Sequence, residues 1–381
     1  MIGVSRLICG KLEPSDSLRF IEREGFRPVV VWNCTARCNL LCRHCYSSSS
    51  IARDEYELTT DEAKSMIEDL AEYGCPVLLF SGGEPLMRRD VLELVQFAKE
   101  RGLRPALSTN GTLITRKMAD ELVKAGAMYA GISLDGLKEK NDFFRGKAGA
   151  FDAALQGVEN CRAAGLKVGL RFTITAFNFD QIPKILDMVE KREIVRVCFY
   201  HLVYSGRAKN FQGGVLEPAK VKKCVEHIFE RTKELCNKFS ELEVLTVDNY
   251  TDAPFLYLWL KRRDAKRAEA ALDMLRINAG NASGEKIACI DWKGDVHPDQ
   301  FWHHFSLGNV KERKFSEIWS DNNIPLLKML RNRREHIRGR CASCGWFGLC
   351  NGNLRVRAEA AGDLWGFDPA CYLTDEEIRN G

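Results

Sequence analysis

Between Pro28 and about Ala208, short β-branched apolar runs alternate with longer stretches in which apolar residues recur every three to four positions. A two-residue period suits a strand and a 3.6-residue period an amphipathic helix, because each must turn one apolar face to the core. Strands are therefore predicted at Val29–Asn33, Val77–Phe80, Pro105–Thr109, Tyr129–Leu134, Lys167–Thr173 and Val195–Leu202. Helices are predicted at Thr60–Tyr73, Arg89–Arg101, Thr115–Ala125, Ala150–Ala164 and Phe179–Lys191, the first opening on the capping sequence Thr59-Thr60-Asp61-Glu62. Such a βα array folds through right-handed crossovers into a parallel sheet, either doubly wound or an open barrel. Periodicity does not choose between the two.

Beyond this array, residues from Leu216 to Ile277 read as mostly helical, with a short apolar run at Leu242–Val247. The stretch Asn278–Gly284 contains only Asn, Ala, Gly and Ser and reads as a linker before a cysteine-rich C-terminal part. The chain is thus expected to divide into an N-terminal segment (1–27), a βα domain (28–215), a helical connection (216–284) and a cysteine-rich domain (285–381). Repeats and low-complexity tracts are absent from the sequence.

With 381 residues, 45% of them apolar, the chain can bury one large core or two moderate ones. Lys plus Arg (56) nearly balances Asp plus Glu (52), which excludes the broad basic field of a nucleic-acid binder. No apolar run reaches the roughly 18 residues of a membrane span, and Met1–Arg6 lacks a signal-peptide core, so no membrane partner and a cytoplasmic location are expected. Fifteen cysteines in a reducing compartment argue for metal or redox chemistry rather than disulfides. Cys75, Cys161, Cys198, Cys224 and Cys236 lie within apolar or helical patterns and are expected to pack in the core. Cys9, Cys34 and Cys289 carry no assignment from spacing.

The first chemical signal is the C-x-x-x-C-x-x-C triplet Cys38, Cys42 and Cys45, directly after the first strand. An iron-sulfur cube needs a ligand for each of its four irons, so a three-cysteine loop leaves one iron open to a substrate or cofactor. The competing reading is structural zinc, which wants four closed ligands, Cys34 being a possible fourth. The triplet, with His44 before its third cysteine, resembles the signature of the radical S-adenosylmethionine (SAM) superfamily. That resemblance implies a partial (β/α)6 barrel, a 4Fe-4S cluster on Cys38, Cys42 and Cys45, and SAM chelated at the open iron. It further implies that an electron from the cluster cleaves SAM to a 5′-deoxyadenosyl radical, which abstracts hydrogen from an unactivated carbon. Parallel barrels gather their sites at the C-terminal strand ends, where the triplet lies.

About 37 residues after Cys45, Ser81-Gly82-Gly83-Glu84-Pro85 resembles the GGEP turn of that family. Its glycines allow close backbone approach, and its carbonyls with Glu84 can accept hydrogen bonds from an ammonium group. Two later strand ends, Ser108–Thr112 with Asn110 and Ser133–Gly136 with Ser133 and Asp135, offer hydroxyls and amides for a ribose and a carboxylate. Arg171 can pair with that carboxylate. Each of these turns reads equally well as a helix cap.

The second signal is Cys341-x2-Cys344-x5-Cys350, with Cys371 following 21 residues later. Geometry alone suits a closed cluster or a zinc ribbon. The pattern resembles the SPASM (or twitch-like) extension of radical SAM enzymes, which implies an auxiliary 4Fe-4S cluster on these four cysteines. In that family seven cysteines usually hold two auxiliary clusters. Here Asp299 and Leu354 stand where two of the cysteines are expected, so a single auxiliary cluster is expected.

The whole chain resembles the radical SAM enzymes that make haem from sirohaem. The resemblance rests on Gly3–Gly10, Phe144-Arg145-Gly146, His297–Trp302, Gly352–Glu359 and Asp368–Glu377. It implies an iron tetrapyrrole substrate, an electron donor such as flavodoxin or ferredoxin, and the removal of two acetate side chains from 12,18-didecarboxysirohaem to give Fe-coproporphyrin III. Removal of propionates on the way to a d-type haem is the alternative within the group. A peptide-modifying maturase and a non-catalytic iron-sulfur carrier are the alternatives outside it. Only about 28 residues precede the first predicted strand, too few for the leader-binding domain of many peptide maturases. A flat, carboxylate-edged macrocycle needs aromatic walls and guanidinium partners. His297, Trp302, His303 and His304 offer rings, and Arg207, Arg355 and Arg357 offer guanidiniums. The same residues read as core packing and as surface charges around the cysteine loop.

Overall fold

The computed structural model describes residues 1–11, 14–20, 25–52, 56–211 and 213–379. Its strands are β1 (Ile2–Gly3), β2 (Val29–Thr35), β3 (Val77–Gly82), β4 (Arg104–Thr109), β5 (Tyr129–Ser133), β6 (Val168–Ile174), β7 (Arg196–His201), β8 (Glu243–Val247), β9 (Ile287–Ile290), β10 (Asp295–His297) and β11 (Gly308–Asn309). They form one sheet in the order β1-β8-β7-β6-β5-β4-β3-β2-β9-β10-β11. From β2 to β8 each strand lies parallel to the next in sequence. With no reversal of strand order there is no switch point, and right-handed crossovers put the helices on one face. That is the curled, open-barrel solution and not the doubly wound one.

Alternation along the strands decides what each face carries. Trp32, Phe80, Leu107, Ile132, Leu170, Phe172, Phe199 and Val244 are buried in the main apolar core with the crossover helices. The intervening positions Asn33, Ser81, Ser108, Ser133, Arg171 and Tyr200 present polar groups to the concave side. Helix Thr60–Glu72 starts on the predicted capping box, Thr59 accepting from the Glu62 amide and Glu62 accepting from the Thr59 amide. The five cysteines expected in the core are all buried, as are Cys34 and Cys289.

Three features depart from the sequence expectation. The apolar run at Leu242–Val247 is β8, a seventh parallel strand reached through the 21-residue helix Pro218–Lys238. The N-terminus adds β1 antiparallel to β8, with Ile2 opposite Thr246. Finally, the stretch expected as a linker is built into the interior, where Asn281 and Ser283 are 2% exposed. The Asn281 side chain accepts from Arg333, and its amide donates to the Cys350 carbonyl at 3.2 Å. Small polar residues here serve tight backbone approach and not freedom of movement. Among the described residues, no helix is long and apolar enough to cross a membrane.

Candidate active site

The cysteine loop leaves β2 and is laced to the next turn. Gly83 and Glu84 donate their amides to the carbonyls of Thr35 and Arg37, both at 2.8 Å, and Cys38 donates to Ser50 at 3.2 Å. A side chain at Gly83 would collide with the Arg37 carbonyl, so this crossing requires glycine. Cys38 and Cys42 are buried and Cys45 is partly exposed. Burial pushes the Cys38 thiol up to about 12.

The loop's far side is held by the helix Lys138–Arg145 and its end. Leu41 donates to the Arg145 carbonyl at 3.2 Å, and Arg43 to the Phe144 carbonyl at 2.9 Å. Arg145 points Nη1 at the Cys42 sulfur at 3.6 Å and ion-pairs with Asp135 through Nη2. His44 joins the same carboxylate at 3.2 Å. Burial would raise Asp135, but Arg145 and His44 together hold it down at about 2. Asp135 is thus a permanent anion that anchors a cysteine-loop histidine and an arginine. From the sequence alone Asp135 reads as a contact for a ribose or carboxylate, and Arg145 carries no chemical role.

Arg207, read from sequence as a substrate partner, serves the cysteine loop instead. Its Nε donates to the Cys42 carbonyl at 2.7 Å, its Nη1 to Ser49 at 2.8 Å and its amide to Cys45 at 2.9 Å. Glu84 is fully buried, and its carboxylate accepts from the Thr109 hydroxyl at 2.7 Å and the Asn110 amide at 2.8 Å. Burial raises it to about 7. It braces the end of β4. Asn110 donates to the Asn39 side chain at 2.8 Å and lies 3.9 Å from the Cys38 sulfur.

On the concave face Ser133 pairs in register with Arg171 across β5 and β6. Arg171 bonds the Ser108 hydroxyl and sits 5.6 Å from the Tyr200 ring centroid. Its Nε is buried without a hydrogen-bond partner, lying over Gly131 of the neighbouring strand. At the rim, the Tyr46 hydroxyl donates to Asn33 at 2.9 Å and lies 3.2 Å from the Ser81 hydroxyl. His303 lies between two rings, stacked on Tyr46 at 6.0 Å and tilted against Trp292 at 5.6 Å. Tyr46 and Asn33 were not among the sequence candidates; their position beside the triplet and at a strand end was the available signal.

Cys341, Cys344, Cys350 and Cys371 line a single cavity with Arg340, Trp346, Phe347 and Asp368. Arg340 approaches the Cys371 sulfur at 3.7 Å, and the Cys371 amide bonds the Asp368 carbonyl at 3.0 Å. Asp299 and Leu354, at the places of missing cysteines, are buried in other roles. Asp299 accepts from Ser283 and from the Phe301 amide, whereas Leu354 packs with Phe301 and Trp302.

Two further substrate candidates are consumed by the fold. Arg357 is fully buried, grips both oxygens of Asp368 at 2.7 and 2.9 Å, and donates to the carbonyls of Leu202 and Asp248. Arg355 donates to the carbonyls of Gly352, Leu364 and Gly366. An arginine so engaged closes loops around the second cysteine set and leaves no fork for a propionate. Trp302 is buried and stacks on His304, which bonds Glu359 at 2.8 Å. His297 is buried behind the rim, bonded through Nδ1 to the Phe305 carbonyl at 2.7 Å.

A loop bearing three thiols, and a separate cavity lined by four, fit a cluster with one open iron and a fully ligated one. The chain is a radical SAM enzyme with a C-terminal SPASM domain: residues 32–189 match the Radical SAM superfamily, and residues 282–345 match the SPASM iron-sulfur cluster-binding domain. Its cofactors are accordingly SAM with a 4Fe-4S cluster and an auxiliary iron-sulfur cluster. Among its relatives is Fe-coproporphyrin III synthase of Methanosarcina barkeri, 51% identical over 99% of both chains. Pre-heme d1 synthase of Dinoroseobacter shibae is 41% identical over 94% of this chain and 89% of its own. The fold also matches Streptococcus suis SuiB bound to precursor peptide SuiA (TM-score 0.72, 17% identity, 92% of this chain and 76% of that one). Native anSMEcpe with bound AdoMet matches with a TM-score of 0.70 at 19% identity over 93% of this chain and 96% of that one.

Proposed function

We propose that this enzyme removes the two acetate side chains of 12,18-didecarboxysirohaem to give Fe-coproporphyrin III. The observation that carries the reading is the end-to-end 51% identity to Fe-coproporphyrin III synthase, ten points above the identity to pre-heme d1 synthase. In this reading Cys38, Cys42 and Cys45 hold the SAM-binding cluster, and Cys341, Cys344, Cys350 and Cys371 hold the auxiliary one. When bound, SAM and its cluster supply one-electron reductive cleavage and a hydrogen-abstracting group, the electron coming from a donor such as flavodoxin or ferredoxin.

The chain's own residues do the positioning. Arg145, His44 and Asp135 fix the cysteine loop from one side and Arg207 from the other. Arg171 offers its unpaired Nε to the methionyl carboxylate, with Ser133 alongside. Tyr46 and His303 provide flat walls at the rim where a macrocycle would lie. Bonds from the loop to three different strand ends keep the reacting groups in fixed relation and exclude water.

The test is anaerobic incubation of the reconstituted enzyme with SAM, dithionite and 12,18-didecarboxysirohaem, with products followed by mass spectrometry. Stepwise loss of two acetates supports the reading. Loss of propionates assigns the pre-heme d1 reaction instead. Formation of 5′-deoxyadenosine with unaltered tetrapyrrole overturns the substrate and keeps the chemistry.

A further inference from the structure

We propose that Asp291, His297 and His303 form a site for a divalent transition-metal ion at the barrel rim, separate from both cysteine sets. One ligand atom from each of the three residues lies within 4.8 Å of the others. Asp291 and His297 are buried and His303 is partly exposed. All three come from the β9–β10 hairpin and the loop after it, so the hairpin turn alone fixes two of the donors.

The orientation of the two buried groups points to a cation. Oδ1 of Asp291 accepts from the amides of Lys293 at 2.8 Å and Asp295 at 3.0 Å, which turns Oδ2 toward His297. Nδ1 of His297 faces the Phe305 carbonyl at 2.7 Å, and a carbonyl only accepts, so Nδ1 carries the proton. Nε2 of His297 then faces Oδ2 of Asp291 at 3.6 Å, beyond hydrogen-bonding reach. The buried Asp291 carboxylate calls for positive charge at this point, which a proton on Nε2 or a metal ion held between the two atoms would supply. Ligands bound to one tetrahedral ion at about 2.1 Å stand about 3.4 Å apart, close to the separation seen here. A histidine fixed through Nδ1 on a backbone carbonyl is also the usual support for a metal-bound imidazole.

Two imidazoles and one carboxylate suit Zn2+ or Fe2+, and three protein ligands leave a coordination position for water or a carboxylate oxygen. His303 reaches Asn33 at 3.3 Å, so the open position borders the concave chamber. This assignment shares His303 with the tetrapyrrole reading but does not rest on it.

The test uses the holoenzyme with both clusters loaded, equilibrated with Zn2+ and analysed for zinc, iron and sulfide. About one zinc per chain is expected above background, with X-ray absorption showing nitrogen and oxygen donors at about 2.0–2.1 Å and no sulfur. His303→Ala, a partly exposed position that can be emptied without opening the core, and His297→Gln should each weaken zinc binding at least tenfold with iron content unchanged. Zinc uptake equal to wild type in both variants, or sulfur in the zinc shell, would overturn the site.

Discussion

Arg145 holds one guanidinium nitrogen 3.6 Å from the Cys42 sulfur while its other arm is paired to the buried carboxylate of Asp135. Burial works against the thiolate that a cluster ligand must be, since it raises the Cys42 thiol, and Arg145 opposes that rise. The arginine is in turn kept charged by Asp135. The relay joins the cysteine loop to the Asp135–Arg145 segment about a hundred residues later, beside the cysteines proposed to hold the cluster.

Replacing Arg145 with Met should therefore leave the buried Asp135 with only His44 as an ionic partner, costing about 3 kcal/mol. Adding Asp135→Asn should restore part of that loss. Chemical denaturation of the four proteins in a double-mutant cycle measures the coupling. Removing the cation beside a cluster ligand should also shift the cluster potential to more negative values, read by an EPR-monitored redox titration.

Glu84 is raised by burial to about 7 from the usual 4.5. Between those values the folded state binds more protons than the unfolded one, so its contribution is fully present below 4.5 and is lost as pH rises to about 7. Wild type should lose about 3 kcal/mol relative to Glu84→Gln across this window. Equilibrium unfolding of both proteins at pH 5, 6, 7 and 8 checks the slope; parallel curves would show that the carboxylate ionises normally.

Arg357→Met should behave as a folding variant. Breaking its fully buried pair with Asp368 should cost about 3–5 kcal/mol. The surviving folded enzyme should keep its KM for the proposed tetrapyrrole substrate. A raised KM at unchanged stability would return Arg357 to the substrate.

Cys344→Ala should remove iron from the auxiliary site and leave reductive SAM cleavage intact, whereas Cys42→Ala should abolish cleavage. Iron analysis paired with 5′-deoxyadenosine quantification separates the two. Loss of cleavage in Cys344→Ala with the first cluster present would make the auxiliary cluster part of the electron path into SAM.

Local signals carried the strands β2 to β7, the crossover helices and the capping box at Thr59, because periodicity and capping act within a few residues. β8 was hidden because five residues between helices look the same whether they pack as a strand or as a helix end. Its pairing with β7 is a long-range fact. The burial of Asn278–Gly284 was hidden for a related reason: small polar residues suit a free linker and a close backbone contact equally well. Arg207, Arg355 and Arg357 looked like partners for a carboxylate because charge is visible in sequence. Their actual partners, the carbonyls of Cys42, Leu202, Asp248 and Gly366 and, for Arg357, the carboxylate of Asp368, are not.

By itself the sequence determined the parallel βα array, the triplet on the first strand's loop and the four later cysteines, since each is written in spacing along the chain, and the resemblance those motifs carry pointed to the radical SAM class. Only the tertiary structure decided which charged groups hold the loops and which remain open to a ligand. A buried guanidinium must satisfy its donors with whatever the fold brings near, and that proximity joins residues about a hundred or more positions apart, as with Arg145 and Cys42.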